Sequence, residues 1–420
     1  MALNSTAIRS YCLFPKPQGA FVSIGREIRG VLSGLLWRGI KWSGRPAWGA
    51  FALLRVKNLT SADLRLGSPV FPEEPAIRAP NSTAEGTPSE VIYPAIGFRT
   101  VSNALVGSNR RVSAIVSGTT LLLPEAVDEG PWNIRVGDPA TGGVLRQDST
   151  HVLVRMRQST PTLSRGIFVG SWSPHNWFHW TIDTLPSVFL TRYLPKEFDD
   201  FPILLPESFH ARAAWGEPLG LVLGQRKVKL LRENQYTAVK NLVWVDSPTC
   251  PGPLPTRAPS GPRFSLHRTA MLAYRDHVLE GLGLDAQGFT QSRRIFLARA
   301  HGSYRTYNQE EALKIAAEFG FEPVYLETLS FKESVAVMLN ASAVMGPHGA
   351  GWANALYCRP GTIGVMWTWD ESRHDNWFAN IGKLADIDFS TLFTGSIHTN
   401  GHNVDPRQLR EHLRQRFSNN

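Results

Sequence analysis

Cysteine is nearly missing from this chain: three residues in 420, Cys12, Cys250 and Cys358, and no C-x-x-C pair. That excludes a disulfide framework and a thiolate zinc site. No apolar run approaches the roughly 18–20 residues that a spanning helix needs, so none is predicted. The opening residues lack a basic start followed by an apolar stretch, which predicts no signal peptide. Acid is scarce at the front. Residues 1–60 carry Arg9, Lys16, Arg26, Arg29, Arg38, Lys41, Arg45, Arg55 and Lys57 against Glu27 alone. The whole chain is only +9, so the remainder is close to neutral. Charge gathered at one end does not suit a nucleic-acid binder, and no nucleic-acid partner is expected. It suits an anionic membrane surface, or a solvated tail. Within it, Ile28–Trp42 groups Ile28, Val31, Leu32, Leu35, Leu36 and Trp42 apart from most of its basic residues. That segment either lies in a membrane interface or packs on its own protein. A cytoplasmic chain, peripheral on the inner membrane face, is the expectation.

What is present is core material. Hydrophobic residues make up 42% and charged residues 19%, with 13 Trp, 21 Phe and 9 Tyr, which excludes general disorder. Residues 1–90 read as a basic segment and a Pro/Ser/Glu-rich linker or surface loop. Residues 91–285 begin with short β-type runs and pass into alternating strands and helices, an α/β domain. The most regular part is 286–395. Strands at Arg294–Ala298, Pro323–Leu326, Ala343–Gly346 and Thr362–Trp367 alternate with helices at Gln309–Phe319, Ser330–Asn340 and Asn376–Leu384. That order predicts a parallel Rossmann-like sheet, with Asn308 and Ser330 as N-caps. Residues 396–420 form a tail with a helix. Two such domains facing each other leave a cleft at the carboxyl ends of their strands.

Three constellations carry chemistry. In Ser173–Pro186, SPHNWFHWTIDTLP, a helix opened by Ser-Pro puts Asn176, His179 and Asp183 on one face. A carboxylate one turn from an imidazole is what general base catalysis needs, and is equally what a simple structural pair looks like. In Val344–Tyr357, a strand meets a turn with Gly346, His348, Gly349, Ala350 and Gly351, then a helix bearing Asn354. Glycines there let backbone N–H groups approach a phosphate at a helix start, although the spacing is neither G-x-G-x-x-G nor a P-loop. In Leu297–Glu310, Arg299 ends a strand and Arg305 precedes Asn308. Guanidinium groups at a strand end can grip a diphosphate.

Taken together, N-W-F-H-W-x-x-D-x-L-P at Asn176–Pro186, the Arg299…Arg305-x-x-Asn308 loop and G-P-H-G-A-G-W-A-N at Gly346–Asn354 resemble the family-61 glycosyltransferases. The tail from Asn376, NWFANIGKLADIDF, is similar too. The resemblance implies a GT-B architecture, an inverting transfer from a nucleotide-sugar to a hydroxyl acceptor of glycan or lipid-linked type, and no metal or other cofactor. The D-x-D at Asp386–Asp388 falls in the last strand region. Carried onto this chain, Arg299, Arg305, Asn308, His348, Gly349, Ala350, Gly351 and Asn354 hold the donor, Asn176 orients the acceptor, and Asp183 or His179 is the base, with Asp183 favoured. Trp352 stands where a smaller residue is commoner, which predicts an altered donor pocket. The rival readings are a metal-dependent hydrolase built on His179, Asp183 and His348, and a non-catalytic sugar-binding module.

Overall fold

A computed structural model describes residues 34–39, 47–48, 51–79, 91–108, 114–125, 144–170, 176–211, 215–250, 264–300, 306–373, 376–400 and 402–417. The first half is dominated by one twelve-stranded mixed sheet. Its main strands are β1 (Phe51–Asn58), β2 (Arg65–Phe71), β3 (Ile96–Ser108), β4 (Ala114–Ser117), β5 (Thr120–Leu123), β6 (Val144–Gln147), β7 (His151–Arg155), β8 (Gln158–Phe168), β9 (Ile203–Pro206), β10 (Val228–Leu231) and β11 (Gln235–Val245). They run in the order β10-β9-β8-β11-β3-β4-β5-β1-β7-β6, with β2 also on β3. β8, β9, β10 and β11 are mutually parallel, whereas β3 joins β11 antiparallel and opens a largely antiparallel extension. Within 91–285, where an α/β domain is expected, the parallel strands are those of 158–245. Residues 65–79, expected in a linker, contribute β2 and the buried Ile77 and Ala79. Residues 80–90 lie outside the described residues.

The second sheet is the expected parallel one. Its strands are β12 (Arg293–Leu297), β13 (Phe321–Val324), β14 (Ala341–Pro347), β15 (Ile363–Thr368) and β16 (Asp388–Phe393), in the order β13-β12-β14-β15-β16. Near-continuous burial along β14 and β15 is what a sheet covered on both faces requires. Gly346 lets β12 and β14 close up, since a Cβ there would meet Leu297 Cβ at 2.9 Å.

The helices that matter are α1 (Trp177–Leu190), α2 (Gly216–Leu223), α3 (Arg268–Leu282), α4 (Gln309–Glu318), α5 (Phe331–Leu339), α6 (Trp377–Leu384) and α7 (Pro406–Phe417). α5 starts with the expected capping box, Ser330 and Glu333 serving each other's backbone N–H. Asn308 stands at the head of α4 but does not cap it. One apolar core links the two sheets, running from Ile167, Ile182 and Val243 through Tyr274 to Val335, Met338 and Tyr357. The helix over 34–39 sets Trp37 on Leu153, with Leu36, Phe51, Leu53 and Leu145 around them. For those residues, packing on the protein is the observed arrangement. Among the described residues no helix is long and apolar enough to cross a membrane.

Candidate active site

In the second sheet the strand order reverses between β12 and β14, and ligands of such sheets sit beyond the carboxyl ends at that reversal. Arg299 lies just past β12, and His348 and Gly349 just past β14. In the first sheet, β8 and β11 are parallel neighbours, with Phe168 beside Trp244. β8 leads to α1, and β11 leads to Ser247 and Thr249. Both sheets therefore deliver their chemistry-bearing residues from strand carboxyl ends, and the two sets meet. A cavity of about 140 Å³ is lined by Asn176, Phe178, His179, His348, Gly349, Ala350, Trp377 and Phe378.

On the α1 side, Asn176 caps the helix, its Oδ1 accepting from the Phe178 N–H at 2.9 Å. The helix then widens into a π turn over Trp180–Thr184. Such turns recur at functional sites and disturb the backbone ladder. Thr181 Oγ1 compensates by donating to the Trp177 carbonyl, and Ser187 Oγ by donating to the Asp183 carbonyl. Trp180, fully buried, stacks on Phe209 and Trp215 and fixes the turn from behind.

His179 Nδ1 and Asp183 Oδ2 are 2.7 Å apart. Thr249 Oγ1 donates to the other oxygen, Asp183 Oδ1, at 2.8 Å. A carboxylate only accepts, so His179 donates from Nδ1, and in the neutral ring of that tautomer the lone pair is on Nε2. Asp183 is buried, with both oxygens engaged, and stands behind the imidazole rather than in the cavity wall. Thr249 is itself held by Ser247, whose Oγ accepts from the Thr249 N–H at 3.3 Å. Asp246 binds the fully buried Arg99 at 2.7 Å and Arg65 at 2.6 Å.

On the other side, Arg299 Nη2 donates to the His348 carbonyl at 2.7 Å, and its guanidinium lies 5.4 Å from the Tyr307 ring centre. Gln309 accepts from the Arg299 N–H and donates to its carbonyl, which pins the strand end. Gly349 is extended, and a Cβ there would meet Arg299 Nη2 at 2.9 Å. The 3-10 helix Ala350–Tyr357 follows, and its leading N–H groups have no partner within the helix. α6 supplies the remaining wall. Trp377 stacks on Phe264 at 4.7 Å and meets His179 edge-on at 5.3 Å, while Phe378 meets His348 at 4.9 Å. The side chains of Asn376 and Asn380 tie α6 to the backbone of Ala79 and Phe264.

Of the residues singled out in the sequence, Asn176, His179, His348, Gly349 and Ala350 share the cavity wall. Asp183 and Arg299 back it from opposite sides. Gly351 packs toward Leu326. Asn354 is buried and braces the Gly351 carbonyl, away from the wall. Asn308 spends its amide on both backbone groups of Val404, holding the chain ahead of α7. Arg305 lies outside the described residues. Trp352, expected to alter a pocket, is a core residue against Phe389, its indole N–H on the Pro347 carbonyl. Asp388 opens β16 at its amino end, far from the carboxyl-end cavity, and pairs with Arg416. Thr249, Trp377 and Phe378 were not singled out. The two aromatics at least lay in the quoted tail, whereas Thr249 sits in a Pro/Gly-rich break with no pattern to mark it.

Among the described residues no group of three or more His, Cys, Asp and Glu side chains is placed to hold a metal ion. The model of the family described as Glycosyltransferase 61 matches residues 177–365. That stretch includes His179, Asp183, Thr249, Arg299 and His348, and stops before α6. No curated protein matches the chain.

Proposed function

We propose, from the match of residues 177–365 to the family described as Glycosyltransferase 61, an inverting transfer of a sugar from a nucleotide-sugar to a hydroxyl acceptor. His179 Nε2 takes the acceptor proton as the oxygen attacks the anomeric carbon. Asp183 holds the imidazole in the required tautomer and offsets the charge it gains. Arg299 and the N–H groups opening the Ala350–Tyr357 helix neutralise the departing diphosphate, the role that GT-B transferases give to cations and helix starts. Asn176 orients the acceptor. The acceptor is a glycan or a lipid-linked saccharide, and no cofactor takes part.

The observation that carries this reading is that one cavity has His179 on one wall and His348–Gly349 on the other. Trp377 and Phe378, also in its lining, give a sugar ring an apolar face to pack on.

A thermal-shift screen tests the reading. A nucleoside diphosphate at a hundredfold excess over its Kd stabilises the folded form by about 2.7 kcal/mol and raises Tm. If no nucleotide or nucleotide-sugar moves Tm, the reading falls. Gly349→Ala tests the geometry more finely. The new Cβ collides only with the tip of Arg299, a flexible chain, so Tm stays near wild type. The displaced guanidinium lowers kcat/KM by about 10–100-fold, a misplacement effect. Unaltered kinetics in that variant would mean that the Gly349–Arg299 contact is incidental.

A further inference from the structure

We propose that the outer face of the β1–β7–β6 sheet, together with the helix over 34–39, docks this protein on an anionic lipid bilayer. The proposal is independent of the transfer chemistry. In β1, Ala52, Leu54 and Val56 face the core with Val152 and Val154 of β7. Side chains alternate along a strand, so Phe51, Leu53 and Arg55 share the opposite face. Register completes that face. Arg155 stands opposite Phe51, Leu153 opposite Leu53, His151 opposite Arg55, and Arg146 opposite Leu153. The 34–39 helix sits at its centre over Leu153, with the Arg146 guanidinium 6.0 Å from the Trp37 ring centre. From this helix Leu35 projects, 60% exposed, and Arg38 is exposed beside it.

Exposed arginines without an acid partner occur elsewhere too, Arg232, Arg268 and Arg407 among them, but here four gather on one face. Arg65, Arg293, Arg410 and Arg416 each meet a carboxylate within 2.7 Å. Arg38, Arg55, Arg146 and Arg155 are exposed, and among the described residues none is paired with an acid. Asp148, in the turn between β6 and β7, accepts from the backbone N–H groups of Thr150 and His151. Unpaired guanidinium groups around a protruding leucine form a complement to phosphate headgroups over an apolar interior.

Flotation of the full chain with vesicles tests this. The protein is expected to float with phosphatidylcholine–phosphatidylglycerol vesicles, not with phosphatidylcholine alone, and to be released by high salt, which screens the attraction. Each surface arginine contributes about fivefold in partition, so Arg38→Glu, Arg55→Glu, Arg146→Glu and Arg155→Glu combined lower it by at least a hundredfold. A charge-matched control replacing the exposed Lys229, Lys240, Lys314 and Arg407 by Glu retains most of the binding. Leu35→Ala weakens the fraction that survives salt. Wild-type protein that ignores anionic vesicles overturns the proposal, as does a control that loses as much as the face variant. Retention on heparin without flotation assigns the face to a soluble polyanion and overturns it equally. Matching melting temperatures confirm that the variants fold.

Discussion

Replacing His179 by Gln lowers kcat by about 10²–10⁴, the usual contribution of a general base, and leaves nucleoside diphosphate affinity within about twofold of wild type. Asp183→Asn costs less. The amide oxygen can still accept from His179 Nδ1, and the amide nitrogen can donate to Thr249 Oγ1 in place of the bond now made at 2.8 Å. What disappears is the negative charge that stabilises the imidazolium. The double variant is expected to be little worse than His179→Gln alone, because residues that act as a unit are not additive. If Asp183 were the base, as the sequence favoured, the order would reverse and Asp183→Asn would be the more damaging change. Steady-state kinetics on the three variants, with nucleotide binding measured by calorimetry, separate the two assignments.

Arg299→Ala acts on the other wall. It is expected to raise the nucleoside diphosphate Kd by about 10–100-fold, since a hydrogen bond to a charged group contributes about 1.5–3 kcal/mol. Arg299→Lys recovers only part of this, because an ammonium cannot reproduce the planar fork. The residue also holds the His348 carbonyl at 2.7 Å, so some loss of Tm accompanies the change. The readout that matters is Kd. A Kd equal to wild type in Arg299→Ala removes it from the diphosphate site whatever happens to stability.

How much could be read from the sequence depended on how local each signal was. The 293–384 elements were legible because strand, turn and capped helix each carry their own marks, as Ser330 and Glu333 do. The first half was harder. β3 owes its thirteen residues to pairing with β11, more than a hundred positions away, and no local pattern announces that partner. The site divides in the same way. His179 and Asp183 sit one turn apart on one helix, so their pairing was visible. Which of them faces the cavity was not, because that depends on Thr249 arriving from β11. Asn308 looked like a cap or a donor ligand. Its partner, Val404, lies nearly a hundred residues onward.

The clasp between α6 and the early chain has a consequence for synthesis. Ala79 and Asn380 are joined across 301 positions. Closing so long a loop is entropically costly and comes late. A nascent chain that has not yet reached α6 would therefore lack Trp377 and Phe378, the aromatic part of the cavity wall. The same applies to an excised 177–365 fragment, which carries both histidines but neither end of the clasp. The cavity wall is thus complete only once α6 has packed against Ala79 and Phe264.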